Sequence, residues 1–179
     1  MLTKILLTIA AVAIVLVIVV ATRPAEFQIS RTAAIPAPAP AVFGLVNDFR
    51  KWGQWSPYEK MDPAMTKTYA GLPTGTGAVY TWDGNAQAGK GTATIVESRP
   101  NELIRIRLDF EKPFPSTAFA TFTFKLEGER TVATWALNGT NNFIAKAVHL
   151  VMNIDKMVGG QFEEGFADLG RAASAAPKS

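Results

Sequence analysis

The chain has 179 residues, 48% hydrophobic and 18% charged, enough for one well-packed domain plus an appendage and too apolar for a disordered polymer. Its net charge of +3 carries no dense Lys/Arg run, which excludes a phosphate-tracking nucleic-acid surface despite a pI near 9.3. It contains no cysteine, so disulfides, thiolate nucleophiles and thiolate-ligated metals are excluded.

The first element is apolar from Ile5 to Ala21, interrupted only by Thr8. Seventeen helical residues reach about 26 Å, close to a hydrocarbon core of roughly 30 Å. A signal peptide cut after Val19-Val20-Ala21 competes with an uncleaved anchor. The segment exceeds the roughly 7–15 residues of a signal core, which favours the anchor. Lys4 before the span is a weak bias placing the following domain outside the cytoplasm, in a periplasmic or extracytoplasmic position. The expected division is an anchor at 1–22, a domain at 23–176 and a disordered tail at 177–179.

Phe27, Ile29 and Arg31 alternate with polar residues in a first strand. The stiff run Ile35–Pro40 leads into a helix on which Val42, Leu45, Val46 and Phe49 share a face. Trp52 and Trp55 then form a plug too apolar for a surface turn. Thr66–Ala70 reads as a short strand, followed by a glycine-rich turn.

From Ala78 the period is two. Ala78, Tyr80 and Trp82 share one strand face, and Asp83-Gly84-Asn85 turns the chain. Ala93, Ile95 and Glu97 follow at strand parity, although Glu97 stands close enough to a strand end to favour the rim. Ile104, Ile106, Leu108 and Phe110 oppose Arg105, Arg107 and Asp109, the pattern of an antiparallel sheet with one solvated face. Ala118, Ala120, Phe122, Phe124 and Leu126 repeat it, and Ala133, Trp135 and Leu137 close the series. Residues Phe143 to Leu169 carry helical spacing with Met157, Phe162 and Phe166 on the apolar side. Gly159-Gly160 within it predicts a break, a kink or a close backbone approach.

Catalytic patterns are scarce. The single histidine, His149, lacks a partner in sequence for acid–base work and cannot nucleate a familiar zinc site, so no metal and no cofactor are expected. Asp109 and Glu111 sit among arginines as a solvated ion-pair ladder, and Glu163 and Glu164 point about 100° apart on their helix. The glycines at 71, 75 and 77 match no phosphate-binding loop. Asn138-Gly-Thr140 fits a glycosylation acceptor, but nothing else points to a eukaryotic secretory chain.

Taken in order, Asn47-Asp-Phe-Arg-Lys-Trp-Gly-Gln-Trp-Ser-Pro57, Gly77–Gly84, Gly89-Lys-Gly91, Glu111–Phe114, Thr131–Trp135 with Gly139, and Asp155–Gly165 resemble the START-like (SRPBCC) superfamily of polyketide cyclases/dehydrases and lipid transport proteins. The resemblance implies an α+β helix-grip fold, a curved antiparallel sheet around a long C-terminal helix. It also implies a cavity for a hydrophobic small molecule or lipid. The expected lining is Trp55, Tyr80, Trp82, Ile106, Leu108, Phe110, Phe122, Trp135, Met157, Phe162 and Phe166, with Trp55 and Gly159-Gly160 at the entrance. Two alternatives stand beside binding. One is a cyclase- or hydratase-type enzyme in which Glu97 and Tyr80 converge; the other is a ligand-free interaction or stress-response module.

Overall fold

The computed structural model describes residues 1–175, so the expected tail at 177–179 lies outside the described residues. An apolar helix α1 (Leu2–Ala21) precedes strand β1 (Glu26–Ile35) and a short helix α2 (Ala39–Val46). Two 3-10 turns follow, Phe49–Gln54 and Pro57–Lys60. Six strands run next in succession: β2 (Thr66–Gly71), β3 (Ala78–Asp83), β4 (Lys90–Arg99), β5 (Leu103–Lys112), β6 (Ser116–Glu127) and β7 (Arg130–Thr140). Helices α3 (Phe143–Val151) and α4 (Ile154–Ala175) complete the described residues.

All seven strands form one antiparallel sheet in the order β1-β7-β6-β5-β4-β3-β2. The alternation seen in the sequence decides which face is covered. Ile104, Ile106, Phe122, Phe124, Ala133 and Trp135 are buried beneath the helical layer, while Arg105, Arg107 and Lys125 look outward. α4 crosses this face along β1 and also meets α2 and both 3-10 turns. This is the helix-grip architecture expected from the sequence.

Pro38 precedes α2 and Pro40 occupies its first turn, where missing N–H groups cost nothing. Asp48 opens the first 3-10 turn by accepting from the Arg50 amide at 3.0 Å. The aromatic plug that follows is interior: Trp52 and Trp55 donate their indole N–H groups to the carbonyls of Val46 (3.0 Å) and Leu45 (3.1 Å). Their bulk is buried and their polar atoms are satisfied locally.

Two sequence expectations change. The helical tail breaks at Met152-Asn153, and Gly159-Gly160 lie in unbroken α4. Asn153 restarts the helix by accepting from the Lys156 amide at 2.9 Å, a capping preference that outweighs the glycine penalty. Of the three outcomes expected for the glycine pair, the close approach is the one present, at Gly159. A Cβ there would stand 2.0 Å from the Arg31 guanidinium, which bonds Asp155 (2.9 Å) and Glu163 (3.1 Å) on the same helix. Gly160 faces open space.

Glu97 is the second change. A register shift between Ile95 and Glu97 inserts one residue into β4, so parity reverses beyond Val96. Glu97 pairs with Arg105 on the outer face and bonds Arg99 at 3.1 Å.

Candidate functional site

The sheet and α4 do not meet everywhere. A cavity of about 340 Å³ lies between the first half of α4, the 3-10 turns and one half of the sheet. Strand register locates it. Trp82 and Tyr80 come from the end of β3, Ala93 from the start of β4, Leu108 and Phe110 from the end of β5, and Leu137 from the end of β7. All belong to the end of the sheet where α1 enters β1 and β7 leaves for α3.

Aromatic rings shape the walls. Tyr80 and Trp82 stack at 5.9 Å, Trp82 meets Phe110 edge-on at 5.8 Å, and Trp135 lies flat on Phe162 at 4.0 Å. Gly91 makes the first pair possible, since a Cβ there would come within 2.6 Å of the Trp82 ring. Met61, Met65 and Val158 complete an apolar lining in which the methionines are adaptable.

One polar corner interrupts the lining. Glu59 in the second 3-10 turn is buried, accepts from the Tyr80 hydroxyl at 2.6 Å and pairs with Lys67 of β2. Burial, and then this carboxylate acceptor, push the Tyr80 phenol above its ordinary range. Burial alone does the same to Tyr58 on the neighbouring wall. Gln87 and Gln161 add amides at the margin. The Trp82 indole N–H is spent on the Ala88 carbonyl at 3.0 Å. That of Trp135 is buried with no partner among the described residues.

Tyr80, Trp82, Leu108, Phe110, Phe122, Trp135 and Phe162 surround the cavity, and four residues expected there do not. Trp55 is 1% exposed behind Phe122 and Trp135, whose rings it meets edge-on, so it is core and no part of an entrance. Ile106 shares the inward face of β5 with Leu108 but is fully buried one step further from the hollow. Phe166 lies a turn beyond Phe162 against the edge of Trp135. Met157 is on the exposed side of α4.

Glu59, Met61, Met65, Gln87 and Gln161 were missed because they sit in turns or beside a helical stripe, where periodicity assigns no face. The other acids singled out in the sequence are surface partners. Glu163 and Glu164 separate to Arg31 and Lys60, Asp109 pairs with Arg107, and Glu111 with Lys90. His149 stands 6.2 Å from the Phe27 ring on α3, away from the cavity lining. Larger depressions of about 580 and 810 Å³ flank the C-terminal half of α4, but they are troughs more open to solvent.

A curved antiparallel sheet gripping a long helix around an apolar hollow defines a helix-grip domain. The chain belongs to the polyketide cyclase / dehydrase and lipid transport family, whose model matches residues 26–174. No curated protein is significantly similar to it. Among solved structures, protein CV1439 from Chromobacterium violaceum is 14% identical, covers 83% of this chain and 98% of its own, and superposes with a TM-score of 0.61. The Aha1 dimer from Colwellia psychrerythraea is 10% identical with coverage of 85% and 99% and a TM-score of 0.59. The di-domain ARO/CYC BexL is 15% identical, with 88% of this chain aligned to 53% of that one at a TM-score of 0.61. At these identities the likeness is one of fold.

Proposed function

We propose that this protein is a membrane-tethered binding protein for a hydrophobic small molecule or lipid. The observation that carries the reading is the cavity: apolar on nearly every side, with its fixed polar group at Glu59–Tyr80–Lys67. Its volume is within the range of small-molecule sites, and such sites combine apolar walls with few oriented polar atoms. The ligand that fits is an apolar body bearing one hydroxyl or amine, held by the carboxylate and phenol oxygens of the corner. The tether is α1, whose apolar composition and 20-residue length suit a bilayer span. The domain would then stand on the non-cytoplasmic side.

A cyclase or hydratase reading comes second because Glu59 and Tyr80 are an acid and a phenol in contact at the cavity wall. It no longer involves Glu97, which pairs with Arg99 on the outer face.

The test is native mass spectrometry of the full chain in nanodiscs made with a total lipid extract of the host membrane. A bound apolar species is expected, and it should be lost in Leu108→Trp, which fills the cavity while the sheet stays folded by circular dichroism. A wild-type chain that binds nothing from the extract overturns the reading. A bound species returned with altered mass favours the enzyme. An active phosphatase fused to the C-terminus would support the non-cytoplasmic position, and an inactive one beside a working cytoplasmic reporter would reverse it.

A further inference from the structure

Helix α3 turns most of its large apolar side chains outward. Around its axis Phe143, Ile144, Val148 and Val151 share one face, and all four are exposed. The side toward β1 is mixed: Lys146, His149 and the half-buried Leu150 border a depression with Arg23, Glu26 and Phe27. No residue of α3 is buried. A helix packed on a soluble domain presents the opposite arrangement, apolar side in and polar side out.

Exposed apolar side chains beyond α1 are concentrated in one stretch of the chain. Beyond α1, the exposed large hydrophobic side chains among the described residues are Tyr69, Leu72, Val96, Phe114, Leu126 and a set of six between Phe143 and Met157. Met152, just after α3, and Met157, in the first turn of α4, are exposed as well. Phe114 caps the β5–β6 turn at the same end of the sheet. A monomeric soluble surface rarely concentrates apolar side chains in this way.

What covers the face is indicated by its neighbour. α3 packs against α1, and the only buried residue of α1 is Val20 in its last turn. The other residues of α1 are uncovered, and roughly 27 Å of helix from Leu2 to Val19 matches a hydrocarbon core. α3 therefore lies at the level where such a span would leave the bilayer. Lys156, next to Met157, and Lys146, on the side of α3 turned to the start of β1, take part in no ion pair among the described residues. Basic side chains flanking an apolar face are the composition of interfacial helices.

We infer that α3, with Met152 and Met157 after it, is a lipid-facing helix that lies in the interfacial layer of the bilayer spanned by α1. It would set the hollow end of the sheet against lipid. The inference rests on the reading of α1 as a span. It adds a route, because a ligand held between β5, β7 and the start of α4 exchanges with the membrane without crossing bulk water.

The absence of cysteine makes the test direct. Val151→Cys and Leu126→Cys, 84% and 65% exposed at opposite ends of the sheet, are labelled with an environment-sensitive nitrobenzoxadiazole dye in the full chain. The labelled chain is reconstituted into vesicles of phosphatidylethanolamine and phosphatidylglycerol. Blue-shifted emission quenched by doxyl-lipid at position 151, with water-like emission at 126, is the expected result. A chain that floats with the vesicles while both dyes report water overturns the lipid-facing role and leaves the tether standing. A chain that does not float overturns both.

Discussion

Where β1 runs into α2, side chains interlock: Phe43 meets Phe124 edge-on at 5.7 Å, and Val42, Val46, Ile104 and Leu169 are fully buried. Even the polar Thr131 is satisfied there, donating to the Ala37 carbonyl at 2.7 Å. At the opposite end, where α1 enters β1, equally apolar side chains enclose about 340 Å³ of space. Composition does not separate the two ends. The covering layer does, because α2 joins the aromatic turns and α4 over the first end, while the hollow is covered by the start of α4, the edge of the 3-10 turns at Trp52, Tyr58 and Glu59, and loop residues, without α2. Trp52 and Trp55, 5.6 Å apart, stand as a bulkhead between them. In this fold a cavity results from where the second layer stops.

Matched substitutions on one strand should break the comparison most sharply. Ile104→Ala at the packed end is expected to lose about 2–5 kcal/mol, because removing buried methyl groups also leaves a void. Leu108→Ala, on the same face of β5, borders space that already exists and should lose distinctly less in the same urea denaturation series. Equal losses would mean that the hollow collapses in solution.

The polar corner sharpens the contrast through pH. The raised phenols of Tyr80 and Tyr58 stay protonated in the fold beyond the ordinary value of about 10. Their contribution to stability is therefore complete below that pH and declines as pH rises through the higher folded values. Ultraviolet titration should show these two phenolates appearing together with unfolding, and Glu59→Gln should bring the Tyr80 step to lower pH.

Neighbouring glycines on α4 should respond with opposite signs. Gly160→Ala is expected to stabilise by up to about 1 kcal/mol, since its Cβ meets nothing and helix propensity improves. Gly159→Ala must displace the Arg31 guanidinium and should lower the melting temperature despite the same propensity gain. The smallest effect is at Asp155, whose carboxyl the Arg31 hydrogen bond holds below its usual range. That contribution is present above the ordinary Asp value of about 3.9 and is lost as pH falls through the depressed one. Melting curves of wild type and Asp155→Asn should converge in acid.

The sequence by itself determined the sheet, its inward face and the long apolar leader, because alternation and helical spacing are local properties of the chain. The plug at Trp52 and Trp55 was legible for the same reason: rings that large in a turn must be buried. Its role as core instead of entrance was not, since that depends on Phe122 and Trp135 arriving from β6 and β7. Tertiary structure alone decided that one inserted residue turns Glu97 outward, that Gly159 receives Arg31, and that Glu59 reaches Tyr80 across 21 positions. It also decided that a cavity exists at all. Periodicity tells which side of a strand is covered, but the thickness of the cover is set by segments distant in sequence that stop short of one end of the sheet.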